Sequence, residues 1–249
     1  MKHSVDLNAD LGEGEPSEGE LLKLVSSANI ACGFHAGDPS SMIASILAAR
    51  EAGVAVGAHP SFFDRDNFGR KELPVSTNEV FALVAYQVGA FLGIATSLGV
   101  RPNHMKPHGA LYNMAARDPA LAEAVTHALL AVDRSLILFA PGASALARAG
   151  EASGLRVARE VFADRNYQPD GALVPRTQPN ALLQDAKEAT ARVLRMLREN
   201  VVRAIDGSDL AIQADTICVH GDTLDAIHFA RELRDHLTAA GITVAAPTP

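Results

Sequence analysis

Asp6-Leu7-Asn8-Ala9-Asp10-Leu11-Gly12-Glu13 alternates polar and apolar residues with a period of two. In a β-strand that period sends Asp6, Asn8 and Asp10 to one face and Leu7, Ala9 and Leu11 to the other. If the strand belongs to an α/β barrel, its apolar face meets the surrounding helices and the three polar side chains point inward. Carboxylates buried inside a barrel need partners. For Asp6 the plain alternative to a functional role is a salt bridge that closes the barrel. Asp10, followed by Gly12 and Glu13, reads as a functional residue.

The rest of the chain repeats one pattern. Short apolar runs at residues 4–7, 28–32, 54–58, 104–106, 136–139, 156–161, 216–219 and 242–245 read as strands, and helical patterns follow nearly every one. Ser17 with Glu20 and Ser76 with Glu79 read as capping boxes, and Asp118-Pro119 as an N-cap followed by proline at the first helical position. Asp38 before Pro39 is a further candidate cap, as is Asp222. Strand, loop and helix in repetition mean parallel strands. No G-x-G-x-x-G and no Walker A sequence occurs, which favours a barrel over a nucleotide-binding open sheet. The expectation is one domain over residues 1–249, a distorted (β/α) barrel of seven or eight mostly parallel strands. Residues 60–74 and 164–179 are long enough and irregular enough to be active-site loops. Arg192, Arg195 and Arg198 read as a solvated helix face.

Composition narrows the function. The 249 residues are 48% hydrophobic and 5% aromatic, with no Trp, so aliphatic side chains fill the core. A net charge of -7 and a pI near 5.7, without a basic run, argue against nucleic acid. The segment from Phe81 to Val100 comes closest to a membrane span, but Gln87 and three glycines read as a buried helix instead. Cys32 and Cys218 suit a reduced, cytoplasmic chain. Cys32 lacks a nucleophile's signature and reads as a buried structural thiol.

Polar residues gather where the strands end, the rim on which barrel enzymes build their sites. His35, His59, His108 and His220 each fall just after a separate strand, a regularity that core packing does not produce. Period two also places His104, Lys106 and His108 together. A lysine there either holds an anion or, desolvated, acts with a lowered pKa. Asp164 and Arg165 follow the sixth strand, and Asp222 follows His220. The catalytic candidates are Asp10, His35, His59, Lys106, His108, Asp164 and His220. The substrate-binding candidates are Asp6, Asn8, Glu13, Arg70, Arg165 and Asp222. The set suits general acid–base chemistry and equally a divalent metal in a His/carboxylate site.

Six ordered strings carry a resemblance: Asp6-Leu-Asn-Ala-Asp10-Leu-Gly-Glu13, Ala31-Cys-Gly-Phe-His-Ala-Gly-Asp38, Gly57-Ala-His-Pro-Ser61, Lys106-Pro-His-Gly-Ala-Leu-Tyr-Asn113, Phe162-Ala-Asp-Arg165 and Val219-His-Gly-Asp222. Together they resemble the LamB/YcsF family from Ser4 to the C-terminus. The resemblance implies a distorted β/α barrel related to those of sugar deacetylases and some glycosidases. It implies ATP-dependent opening of 5-oxo-L-proline to L-glutamate, performed with two further 5-oxoprolinase subunits, B and C. ATP handling would then lie largely with those partners, since this chain shows no phosphate-cradling loop. Two other readings use the same residues: a stand-alone metal-dependent deacetylase or amidohydrolase, and a non-catalytic subunit that binds a small acid.

Overall fold

The computed structural model describes residues 4–183, 185–219 and 226–248. His220 and Asp222 lie outside the described residues. The first strand, β1 (Ser4–Leu11), runs four residues past the expected end. It is paired on both sides, with β2 (Ser27–Ala31) along one edge and β9 (Thr216–Cys218) along the other. β10 (Thr243–Val244) extends that second edge beside Ser4 and Val5. From β2 the parallel order continues through β3 (Ala55–His59), β4 (His104–Met105), β5 (Ile137–Pro141) and β6 (Val157–Phe162), and β6 pairs with β9. The ring therefore closes as a parallel barrel of seven strands, with β10 as an added eighth.

The period in β1 does what it implied. Leu7, Ala9 and Leu11 are buried among apolar neighbours, while Asp6 and Asn8 are buried inside the barrel with polar partners. Past the end of β4, the Lys106 and His108 amides still donate to the carbonyls of Ala58 and Pro60. The ladder thus carries these side chains up to the rim. Gly57 is required opposite His104, since a Cβ there would lie 2.2 Å from the His104 ring. His104 fills that space, stacked on Phe139 at 4.2 Å.

Helix starts follow local chemistry. Asp38 caps α2 (Pro39–Glu51) in a reciprocal pair with Ser41, and Ser76 and Glu79 form the expected box on α3 (Thr77–Ser97). Asp118 caps α5 (Pro119–Asp133) and Asp185 caps α7 (Ala186–Glu199). The Ser17–Glu20 box does not form. The single turn α1 (Glu18–Leu21) lacks a side-chain cap, and Glu18 instead accepts backbone amides from Gly12 through Glu15, which fixes the turn after β1. Helices α4 (Gly109–Arg117), α6 (Ala145–Ala152) and α8 (Ala226–Ala239) complete the outer layer.

α3 is long and apolar enough to cross a bilayer by composition. It is half-buried rather than buried. Val80, Val84, Val88 and Phe91 form its buried stripe, while Tyr86 is 65% exposed. Gln87 on the buried side bonds both the amide and the carbonyl of Ser61 and so anchors the loop after β3. The Arg-rich helix also departs from expectation. Arg192 turns inward and donates to the Arg165 carbonyl and the Asn166 side chain, because loop 164–179 offers it acceptors. Arg195 pairs with Asp209 at the surface, while Arg198 is exposed. The antiparallel hairpin β7 (Val201–Arg203) and β8 (Asp209–Ala211) was not expected, although Asp206-Gly207 between two short apolar runs is a turn signal.

Asp6 is held by hydroxyls rather than by a cation: Ser26 at 2.6 Å, Ser27 at 2.8 Å and Thr216 at 2.5 Å. Burial pushes its carboxyl up to about 6, against those hydrogen bonds. The native state then binds this proton more tightly than the unfolded chain does, so stability falls as pH rises from about 4 to 6. Asp6→Asn removes that dependence. Denaturant unfolding at pH 4 and pH 7 should show the variant gaining about 2–3 kcal/mol on the native protein over that interval. A difference that stays flat would mean that ionising Asp6 costs the fold nothing.

Candidate active site

Lys106, just past β4, is the centre of the site. Its ammonium sits among Glu160 Oε1 at 2.9 Å, Asp10 Oδ1 at 3.0 Å, Cys218 Sγ at 3.1 Å and Asn8 Oδ1 at 3.2 Å. Burial alone would lower its pKa, but Asp10, Cys218 and Glu160 outweigh it and hold the group well above the usual lysine range. That direction is opposite to the lowered pKa that one of the two readings of this lysine called for. The same neighbourhood acts on Asp10. Burial opposes its ionisation, yet His59 and Lys106 hold its carboxyl well below the ordinary value.

Asp10 uses its two oxygens differently. Oδ1 accepts from Lys106 and, at 2.8 Å, from Asn29 Nδ2, while Oδ2 stands 3.3 Å from His59 Nε2. His59 follows with Nδ1 at 2.7 Å from the Lys106 carbonyl oxygen and Nε2 at 2.9 Å from His108 Nδ1. Glu13 Oε1 completes the group, 2.8 Å from His35 Nε2 and 3.4 Å from His108 Nδ1. Burial, reinforced by the Asp10 charge, pushes Glu13 up to about 9. Burial and the neighbouring His59 lower His35 to about 3. One ligand atom from each of Glu13, His35, His59 and His108 falls within 4.8 Å of the others, a spacing that admits a metal ion.

Gly69 makes this packing possible. It lies in the expected loop 60–74 with φ +64°, and a Cβ there would come within 2.3 Å of Ser61 Oγ and 2.9 Å of His35 Cβ. The next residue, Arg70, enters the wall of a cleft of about 1310 Å³ whose floor includes Asp10, Glu13, His59, Lys106 and Glu160. Arg165 and Arg176 line the same cleft from loop 164–179. Both loops read as active-site loops thus reach it.

The structure gathers Asp10, Glu13, His35, His59, Lys106 and His108 into one cluster, with Arg70 and Arg165 among the residues that line the adjoining cleft. It does not place Asp6 or Asn8 in the cleft wall. Asn8 is fully engaged below the floor, donating to Glu160 and Thr216 and accepting from Asn29 and Lys106. Asp164 is buried beside Arg165, outside the cleft lining. Cys32 is buried, its thiol pushed up to about 12, as expected of a structural cysteine.

Glu160, Tyr112 and Asn29 were not read from the sequence as site residues. Glu160, a carboxylate within the apolar run of β6, is buried with Lys106 on one oxygen and the Tyr112 hydroxyl on the other. A Glu inside a buried strand was the available signal. Asn29 bridges Asn8, Asp10 and His104, and nothing in its local sequence marks it.

Comparison with known proteins adds four findings. Residues 5–249 match the LamB/YcsF family. The chain is 50% identical to proteins named as the A subunit of 5-oxoprolinase from Bordetella pertussis and Bordetella parapertussis, over 99% of this chain and 100% of each of those. The lactam utilization protein of Thermus thermophilus superposes with a TM-score of 0.91 at 42% identity, covering 99% of this chain and 100% of that one. A family 4 carbohydrate esterase from Streptomyces lividans shares the fold at a TM-score of 0.54 and 11% identity, covering 98% and 92%.

Proposed function

Because the chain belongs to the LamB/YcsF family, we propose that it opens the lactam ring of 5-oxo-L-proline to L-glutamate, coupled to ATP hydrolysis and together with subunits B and C. The names of the relatives at 50% and 42% identity, the A subunit of 5-oxoprolinase and a lactam utilization protein, support a cyclic amide as substrate. The observation that carries the reading is the Lys106 amine held 3.0 Å from Asp10 in a cleft that Arg70 and Arg165 also line.

A five-membered lactam is an unstrained amide, so its carbonyl needs activation, and phosphorylation of the amide oxygen by ATP supplies it. Water then adds to the activated carbon. The C–N bond breaks with its electron pair going to the ring nitrogen, which takes a proton and becomes the amino group of glutamate, and the carbon is left as an acyl phosphate that a second water hydrolyses to the side-chain carboxylate and inorganic phosphate. In this site the Lys106 ammonium stabilises the oxyanion as it develops. Asp10 and the imidazole edge beside it orient the water and accept its proton. An arginine of the cleft lining, Arg70 or Arg165, receives the substrate carboxylate, since a guanidinium can bind a carboxylate through two parallel N–H groups. The phosphorylating machinery belongs to the partner subunits, which is consistent with the absence of a Walker A sequence. Two buried, unpaired cysteines fit a reducing cytoplasm.

The test is glutamate release from 5-oxo-L-proline by this chain, with and without ATP and subunits B and C. Turnover is expected only in the complete mixture. Robust ATP-independent turnover by the isolated chain would replace this reading with that of a stand-alone amidohydrolase. Substrate binding without turnover in the full complex would make the chain a carrier subunit.

A further inference from the structure

We infer that His59, His108 and Glu13 bind one divalent first-row transition-metal ion of the zinc class at the head of the cleft. Two backbone carbonyls locate the ring protons of this pair. His59 Nδ1 lies 2.7 Å from the Lys106 carbonyl oxygen, and His108 Nε2 lies 2.9 Å from that of Phe68. A carbonyl oxygen only accepts, so each of these nitrogens carries its ring's proton. The opposite nitrogens, His59 Nε2 and His108 Nδ1, are left with lone pairs. Those lone pairs meet at 2.9 Å. Two acceptors so close repel each other unless a cation lies against both.

The surroundings favour a metal ion over a shared proton. Glu13 Oε1 is a third donor, 3.4 Å from His108 Nδ1 and 3.9 Å from His59 Nε2. Tetrahedral sites with bonds near 2.0–2.1 Å separate their ligand atoms by about 3.3 Å, and the three separations here bracket that value. His35 Nε2, 2.8 Å from Glu13 Oε1, occupies the place of the N–H that orients a ligating carboxylate. It is not itself placed as a ligand. Its ring is parallel to that of His108, 6° apart in plane and 3.9 Å between centroids. Two rings so stacked do not aim their in-plane lone pairs at one point.

Asp10 Oδ2, 3.3 Å from His59 Nε2, adds a second negative charge beside the ion. Two imidazoles and a carboxylate suit zinc, cobalt, nickel or manganese, whereas magnesium and calcium take oxygen donors. His59, His108, Glu13 and Asp10 all reach the open cleft, so a fourth position faces the space a substrate would enter. An ion there would supply Lewis acidity towards a carbonyl or water, and would leave Asp10, which is not placed among its three ligands, to take a proton. Binding does not depend on which amide is cleaved, so this inference and the proposed function fail separately.

The experiment is calorimetric titration of the chelator-stripped chain with Zn²⁺, without substrate or partner subunits. One ion per chain is expected. His59→Gln and His108→Ala should each weaken binding by roughly 100-fold or more, and His35→Asn by about 10-fold, the scale for an orienting group. Cys32→Ser should leave the affinity unchanged. Should the ligand variants misfold, X-ray absorption on the zinc-loaded native chain decides, with two imidazoles and oxygen donors expected and no sulfur. The inference is overturned by any of three results: no saturable binding to the native chain, binding retained in the folded His59→Gln/His108→Ala pair, or ¹⁵N imidazole signals of a shared proton that added zinc leaves unchanged.

Discussion

Lys106→Met is expected to lower both turnover and stability steeply. The substitution keeps the aliphatic stem and removes the ammonium from between Asp10 and Glu160. Two carboxylates are then left in the barrel without their cation, and breaking a buried pair in this way costs about 3–5 kcal/mol. Loss of the charge that meets the developing oxyanion should lower turnover by about 10²–10³-fold in the reconstituted complex. Glu160→Gln in the same chain separates the two effects. It neutralises one stranded carboxylate, so thermal melts should recover part of the lost stability while turnover stays low. If the double variant both refolds and turns over at the native rate, Lys106 only closes the barrel and the proposed mechanism falls.

Asp10→Asn is expected to show the opposite balance, with a large loss of turnover and a small loss of stability. An asparagine oxygen can still accept from Lys106 and from Asn29, so the packing survives. The charge facing His59 does not survive, and turnover should fall by roughly 10²-fold or more. The pH dependence has a definite sign. Although burial opposes it, the positive charge beside it, with Lys106 at 3.0 Å, depresses the Asp10 carboxyl in the folded state. The stability it contributes is therefore present above the ordinary Asp value near 4 and is lost as pH falls through the depressed value. The handicap of the variant, measured by denaturant unfolding, should shrink as pH is lowered below about 4. A variant that melts early at neutral pH but turns over normally would reassign Asp10 to structure.

The two substitutions differ because the cluster is one network assembled from distant segments. Asp10 comes from β1, Lys106 follows β4 and Glu160 lies in β6. Sequence reading found the first two because each ends a strand in a polar motif. It missed Glu160, whose neighbours in the chain are apolar and whose partners, Asn8, Lys106 and Tyr112, are 48 to 152 residues away. It also placed Asp6 and Asn8 with the substrate, since period two says which face a residue takes and nothing about depth. In the closed barrel they lie below the floor, saturated by Ser26, Ser27, Thr216 and Asn29.

What the sequence by itself determined was local. The alternation in β1, the caps at Asp38, Ser76 and Asp118, and the histidines after successive strands follow from dihedral periods and from hydrogen bonds within a few residues. These suffice for a parallel β/α barrel with chemistry on its rim. Only the tertiary structure decided that Lys106 lies between Asp10 and Glu160, that burial raises the Glu13 carboxyl, and that His59 and His108 bring ring nitrogens within 2.9 Å of each other. Charge state depends on desolvation and on neighbours within a few ångströms, and barrel closure, which joins β9 to β1 across more than 200 residues, sets both.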